Sequence, residues 1–358
     1  MSVDLARQVL REAIASRVFP AAGAEVGASG KVIWRETLGP LTFDEASAPA
    51  TADTPFDLAS LTKAIATTSV AMQLVSEGRL ALDDRVASFF AEWRGADREA
   101  VTVRDLLEHA SGLSARLIDA PPQQSREFVH DICTMPLEYA PRTGSVYSDL
   151  GFILIGFALA DRGGASLESQ FDAVRNRLSV AEKELRSEPL TFRLDVEARR
   201  RAAPTLPADD DIRRGRSLAG EVHDNYAAAL GGVAGHAGVF GTVSAVGAFA
   251  RAALRGARGD DSVPDPLSPG LVVRAVTKSS VPGSSRALGW DTMLPTSSCG
   301  RSMSASAFGH VGFTGTSLWV DPSRDRYFVL LTNRACGGGT LDQMLTVRRA
   351  FHDALGEV

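Results

Sequence analysis

The chain has 358 residues, of which 44% are hydrophobic and 23% charged, and its net charge is -5. That length allows a substantial core, in one large or two intimately joined domains, and the charge balance leaves no footprint for nucleic acid. No apolar run is long enough to span a bilayer, and the first residues lack a signal peptide's basic start and apolar core. As written, the chain reads as cytosolic, or periplasmic if a leader has been removed. Cys133, Cys299 and Cys336 are scattered, odd in number and form no CxxC pair, so they read as free buried thiols.

In chain order, residues 3–18 predict an amphipathic helix, with Leu5, Val9, Leu10, Ala13 and Ile14 on one side. Residues 22–28 and 31–38 flank Ser29-Gly30 and predict a β-hairpin. Phe56-Asp57-Leu58-Ala59 reads as a strand end leading to Ser60. From there a helix runs to about Gly78, with Leu61, Ile65, Thr68, Met72 and Val75 at helical spacing. Residues 79–100 predict a surface-facing helical piece, and 103–109 a short helix ending in a turn. The stretch 115–220 is mostly helix and loop, including an apolar helix from 150. Its acidic run Asp209-Asp210-Asp211 reads as a solvated loop rather than a metal site. Strands at 307–312, 317–320 and 327–332 form a meander, and 340–356 closes the chain as an amphipathic helix. The fold class predicted is α/β (α+β). Both termini build an antiparallel sheet flanked by helices (1–65 and 220–358), a mostly helical domain (66–219) is inserted, and a cleft lies between them.

Ser60 and Lys63 are three residues apart, so a helix places both on one face. A serine at a helix N-terminus with an amine one turn away has the makings of an activated nucleophile. Only four lysines occur, Lys31, Lys63, Lys183 and Lys278, and only Lys63 has a serine three before it. It also falls in an apolar helix, where a buried amine must be paired or neutralised. Tyr147-Ser148-Asp149 offers a phenol that acts as a base only when cations favour the phenolate. The plainer reading of a lone tyrosine is a packed ring with a bonded hydroxyl. In Gly309-His310-Val311-Gly312-Phe313-Thr314-Gly315-Thr316, glycines interrupt a strand, which signals close backbone approach. A strand-edge N–H there, paired with that of Ser60, makes an oxyanion hole. His310 reads either as a holder of a negative group or as a satisfied strand-end histidine.

Taken together, Ser60-x-x-Lys63, Tyr147-Ser148-Asp149 and His310-Val311-Gly312 resemble, in order, the three active-site motifs of the penicillin-recognising serine hydrolases. These comprise class C β-lactamases, D-alanyl-D-alanine peptidases and related esterases. The likeness covers nearly the whole chain, including Leu106-Leu107-Glu108-His109-Ala110-Ser111-Gly112-Leu113 and Gly235-His236-Ala237-Gly238-Val239-Phe240. The resemblance implies a β-lactamase/transpeptidase-like fold, acylation of Ser60, and acid–base work shared by Lys63 and Tyr147. It also implies an oxyanion site on the N–H groups of Ser60 and Phe313, lined by His310, Gly312 and Asp149. Two departures stand out. The second motif ends in Asp149 where Asn is common, and the third begins with His310-Val311 where Lys-Thr is common. A neutral histidine and a valine offer a substrate carboxylate less than lysine and threonine do. The expected activity is therefore hydrolysis of esters, amides or small peptides. The alternatives are a β-lactamase or D-Ala-D-Ala carboxypeptidase, and a non-catalytic penicillin-binding-like module. No cofactor is expected, and the partner is a small-molecule or short-peptide substrate. His223-Asp224-Asn225 and His236 contain metal-ligand types, but the glycine-rich loop around His236 reads better as a cleft lining.

Overall fold

A computed structural model describes residues 2–117, 122–209 and 211–356. The N-terminal hairpin forms with the predicted bounds: β1 (Ala22–Ala28) pairs antiparallel with β2 (Lys31–Leu38). Three short strands follow, β3 (Phe56–Asp57), β4 (Leu190–Thr191) and β5 (Phe240–Gly241). The late meander comprises β6 (Asp291–Thr292), β7 (Phe308–Val311), β8 (Ser317–Asp321) and β9 (Arg326–Thr332). β1 also pairs with β9, so the two ends of the chain close one six-stranded antiparallel sheet in the order β2-β1-β9-β8-β7-β6. A second, three-stranded sheet in the order β3-β5-β4, which the sequence does not signal, ties the lead-in of Ser60 to distant segments.

Both faces of the large sheet are covered, and the strand period of two sorts the side chains. Ala22, Ala24, Val26, Trp319, Phe328 and Leu330 pack with the terminal helices Val3–Ala15 and Leu341–Leu355. Leu318, Val320, Tyr327, Val329 and Leu331 face the other way. They join the core that holds the Ser60 helix, the Asp149–Gly163 helix and the Val243–Ala257 helix. Among the described residues, no single helix is long and apolar enough to cross a membrane.

Two expectations change. Residues 79–100 hold only a single helical turn, Val86–Ser88. Their backbone bonds instead to the next segment (Val86 N–H to Val101 O, 3.0 Å; Arg104 N–H to Leu82 O, 2.8 Å), and Leu80, Leu82 and Trp93 are buried. Apolar residues spaced for a helix here serve a pinned loop. Of the acidic run, Asp210 lies outside the described residues. Asp211 is buried rather than solvated, because Arg213 binds it at 2.6 Å while also donating to Val222 O and His223 O.

Asn333, buried just after β9, accepts from Ala21 N–H (3.0 Å) and donates to Leu41 O (2.8 Å) and Pro204 O (3.0 Å). Replacing it with leucine strands three backbone groups, each costing about 1–3 kcal/mol when buried. Asn333→Leu should lose at least about 3 kcal/mol of stability. Denaturation midpoints check this, and a change under about 0.5 kcal/mol would contradict it.

Candidate active site

Ser60 occupies a tight turn between β3 and the long helix, with Leu61 N–H on Leu58 O and Lys63 N–H on Ser60 O, both at 3.1 Å. Ala59 sits at φ +47°, a left-handed conformation costing an alanine about 1–2 kcal/mol. Its neighbours hold it there. The buried Asp57 carboxylate accepts from Ala59 N–H (2.8 Å) and from His223 N–H (2.6 Å). Burial pushes this carboxyl up to about 6, only partly opposed by those two N–H groups.

The third motif grips the same turn from the sheet. Thr314 Oγ1 donates to Asp57 O (2.7 Å) and Thr316 Oγ1 to Leu58 O (3.0 Å). A Cβ on Gly312 would lie 2.1 Å from Thr316 Oγ1 and 2.6 Å from Leu58 O. Glycine therefore lets the end of β7 lie flush against the serine turn. Among the described residues, no acceptor takes the N–H of Ser60 or of Phe313. Both remain available at the corner where the two segments meet.

Lys63 is fully buried, and its Nζ donates to Ser60 Oγ (3.1 Å), Asp149 Oδ1 (2.7 Å) and His236 O (3.1 Å). Its segment, Lys63–Thr68, is a π-helical stretch before regular helix over Ser69–Ser76. Such stretches concentrate at functional sites. Thr67 Oγ1 bonds across to Gly235 O (2.6 Å), and a Cβ on Gly235 would lie 1.9 Å from Phe152 O. That close approach seats the His236 carbonyl on the lysine. Burial pulls the Lys63 pKa down, but the Asp149 carboxylate, helped by Tyr147, outweighs it and leaves it above the ordinary 10.5. The amine is thus an ammonium at neutral pH.

Asp149, in the first turn of its helix, has its second oxygen on Arg116 Nη1 (2.9 Å). That nitrogen also holds Asp224 Oδ2 (2.9 Å), and Asp224 Oδ1 meets His236 Nε2 (2.7 Å). Burial opposes ionisation of both acids. Lys63 nevertheless keeps Asp149 below the usual carboxylate range, and His236 with Arg116 keeps Asp224 well below it. Asp149, Asp224 and His236 offer ligand atoms within 4.8 Å of one another. The Arg116 guanidinium already bridges the two carboxylates, so the cluster carries its own cation. The residues do not fit a metal centre.

Tyr147 stacks on the buried His109 ring (4.6 Å) and lies 5.8 Å from the His310 ring. Lys63 Nζ and the Arg286 guanidinium stand 4.7 and 4.9 Å from its ring centroid. Its hydroxyl is buried without a partner among the described residues. The plainer reading, a packed ring with a bonded hydroxyl, leaves this unexplained. Tyr147, His310 and Arg286 line one cleft of about 770 Å³ together with Ser60, Asp149, His223, Asp224, His236, Gly312 and Phe313. The glycine-rich loop is thus a cleft lining, as its sequence suggests.

Between the two readings of His310, the structure favours a histidine packed at the strand end, without the charge that an anion holder needs. The ring is buried, with Nδ1 on Val311 O (2.8 Å). Burial, with Arg286 and Lys63 nearby, holds it well below 6.5 and therefore neutral. Asp149 gives its oxygens to Lys63 and Arg116 rather than to His310. The cation that sequence reasoning missed is Arg286, whose closest carboxylate contact, to Asp291, is 3.8 Å. It lies in a loop outside every motif. Arg116, Arg348, Thr314 and Thr316 were missed likewise.

Asp149→Asn removes the charge that opposes burial. With only four lysines, 15N-lysine labelling can follow Lys63 directly. In the wild type its ammonium should persist above 10.5, whereas the variant's should titrate below it. The alkaline limb of activity should move down in step. An unmoved Lys63 titration would refute the pairing. The raised pKa means that the lysine's share of stability is complete below 10.5 and lost only as pH climbs through the raised value. The depressed Asp149 keeps its share above 3.8 and loses it as pH falls below.

A family model described as Beta-lactamase matches residues 6–350. A putative D-alanyl-D-alanine carboxypeptidase of Escherichia coli (strain K12) is 29% identical over 321 residues, covering 80% of this chain and 70% of the relative. An N-acetylmuramyl-L-alanine amidase of Bacillus subtilis (strain 168) is 28% identical over 349 residues, covering 88% and 77%. Among solved structures, EstCE1, a hydrolase with promiscuous acyltransferase activity, superposes with a TM-score of 0.74 at 20% identity over 98% of both chains. The antiparallel sheet closed by both termini is accordingly the β-lactamase/transpeptidase-like fold. A match that spans all but the chain's extreme ends decides its kinship: it belongs to the beta-lactamase family and is a serine hydrolase of that family.

Proposed function

We propose that this hydrolase cleaves esters, amides or short peptides through an acyl-enzyme on Ser60. The observation that carries this reading is the Lys63 Nζ contact on Ser60 Oγ at 3.1 Å, inside a cleft with two unclaimed N–H groups. Ser60 Oγ attacks the substrate carbonyl carbon as its proton passes to Tyr147 acting as the base, with the Lys63 and Arg286 cations 4.7 and 4.9 Å from its ring centroid. The oxyanion rests on the N–H groups of Ser60 and Phe313. Tyr147 then gives the proton to the leaving oxygen or nitrogen. Water, losing a proton to Tyr147, attacks the ester carbonyl and releases the acid, and Ser60 recovers its proton. Lys63, held as an ammonium by Asp149, donates to Ser60 Oγ instead of acting as the resting base. We place the cleft between a sheet domain (1–65 with 220–358) and a helical domain (66–219).

Arg286 favours substrates that carry a carboxylate. It is a permanent cation, poorly paired, and lines the cleft beside Tyr147 and His310. The names of the two relatives also both involve an alanine amide. A peptide ending in a carboxylate, as in D-Ala-D-Ala, therefore suits the cleft better than His310 and Val311 alone suggest.

Ser60→Ala should abolish turnover of p-nitrophenyl esters, D-amino-acid anilides and a chromogenic cephalosporin. It should also abolish the phosphonate adduct in intact-protein mass spectra. Residual activity near wild type would sink the assignment. Arg286→Gln should raise KM for carboxylate-bearing substrates about tenfold, the scale of one charged hydrogen bond, and leave KM for neutral esters nearly unchanged, while any loss of kcat through Tyr147 falls on both classes alike. Because His310 stays neutral, carboxylate substrates should gain nothing between pH 8 and 6. A gain over that range, or equal rises in KM on both substrate classes, would reassign the anion site.

A further inference from the structure

We infer that Arg348 is a positioning residue for the oxyanion, holding and polarising the peptide group whose N–H is offered by Phe313. The inference rests on the reading that this N–H faces the reacting carbonyl. Arg348 projects from the C-terminal helix Leu341–Leu355 and is 5% exposed, yet it lines the cleft. Its Nη2 donates to Gly312 O (2.6 Å) and Thr316 O (2.9 Å), and its Nε is buried without a partner. Among the described residues no carboxylate lies within 4.0 Å of it.

A buried cation without an anion is costly and calls for an explanation. Burial, together with the neighbouring Arg334, draws its pKa down to about 9. Packing alone would be met by an apolar side chain at lower cost. The partner it has is specific. Gly312 O and Phe313 N–H belong to one peptide unit, so a charged donor on the oxygen withdraws electron density from the nitrogen. It thereby strengthens that N–H as a donor. The gain is largest when the substrate oxygen carries a full negative charge, so it appears in kcat rather than KM. Arg334 supplies an internal contrast. It is also buried and without a carboxylate partner, but it donates to Phe313 O (2.6 Å), which belongs to the following peptide. Its charge polarises a different N–H.

The test compares Arg348→Met, Arg348→Lys and Arg334→Met in the full chain, using a p-nitrophenyl ester and an alkyl boronic acid that forms a tetrahedral anion on serine. Arg348→Met should lower kcat about 30–100-fold with KM within threefold, below the loss of a whole oxyanion donor, and weaken the boronate by a similar factor. Arg348→Lys, which keeps the charge and one donor, should recover about half of that loss on a logarithmic scale. Arg334→Met should cost less than tenfold in kcat. If the methionine variant does not fold, the lysine variant decides: boronate affinity should fall in step with kcat. Wild-type boronate affinity in a folded Arg348 variant would overturn the inference. So would a loss confined to KM, or equal kcat losses in the two methionine variants. These outcomes are distinct from failure of the Ser60 reading, which shows in the wild type as turnover that Ser60→Ala leaves intact.

Discussion

A fully buried ammonium must have an anion, and the active-site architecture follows from that requirement at Lys63. The amine needs a carboxylate, which Asp149 supplies from the first turn of its own helix. Asp149 is itself out of water, so its second oxygen needs a donor, and Arg116 provides it. Arg116 then bridges to Asp224, and Asp224 to the His236 ring, whose own carbonyl returns to Lys63. Breaking the array at Asp149 leaves the buried Lys63 charge uncompensated, a loss of up to about 3–5 kcal/mol, and a break at the more exposed Arg116 costs less. The ring therefore fixes loops from distant parts of the chain around one serine.

The part of the site around Gly312 and Phe313 follows a different rule. Arg334 and Arg348 are buried against backbone carbonyls, and Arg286 has only a distant acid. One part has its charges closed in pairs, while the other keeps a positive potential beside the Gly312–Phe313 corner. A fixed field of this kind interacts most strongly with charge that develops during reaction, without having to reorganise. Half-exposed Phe313 and Leu341 add apolar surface to the lining, and Phe313 is stacked between His223 and Arg334.

The strain at Ala59 belongs to the same design. A left-handed alanine before Ser60 persists because Asp57, Thr314 and Thr316 bind the turn from both sides. The Ser60 turn is held by the connection between β7 and β8, so its geometry depends on residues more than 250 positions away.

What the sequence by itself determined was whatever neighbours in the chain decide. The Ser60/Lys63 pair follows from helical spacing. The first hairpin follows from two segments flanking the Ser29-Gly30 turn, and the late meander from three apolar runs joined by turn residues. The role of glycine at 312 was legible as a close approach, although its partner was not. Tertiary structure decided which charges meet. Arg116, Arg286 and Arg348 carry no local signature, because an arginine's role is set by the carbonyl or carboxylate that folding brings to it. Which of its two readings suits His310 was not legible, because its reference pKa is known from sequence whereas its burial is not. Residues 79–100 were misread for the same reason: their apolar spacing suits a helix, but the hydrogen bonds that win run to the following segment. Local pattern fixes period and chain direction, while burial and charge pairing are properties of the assembled core.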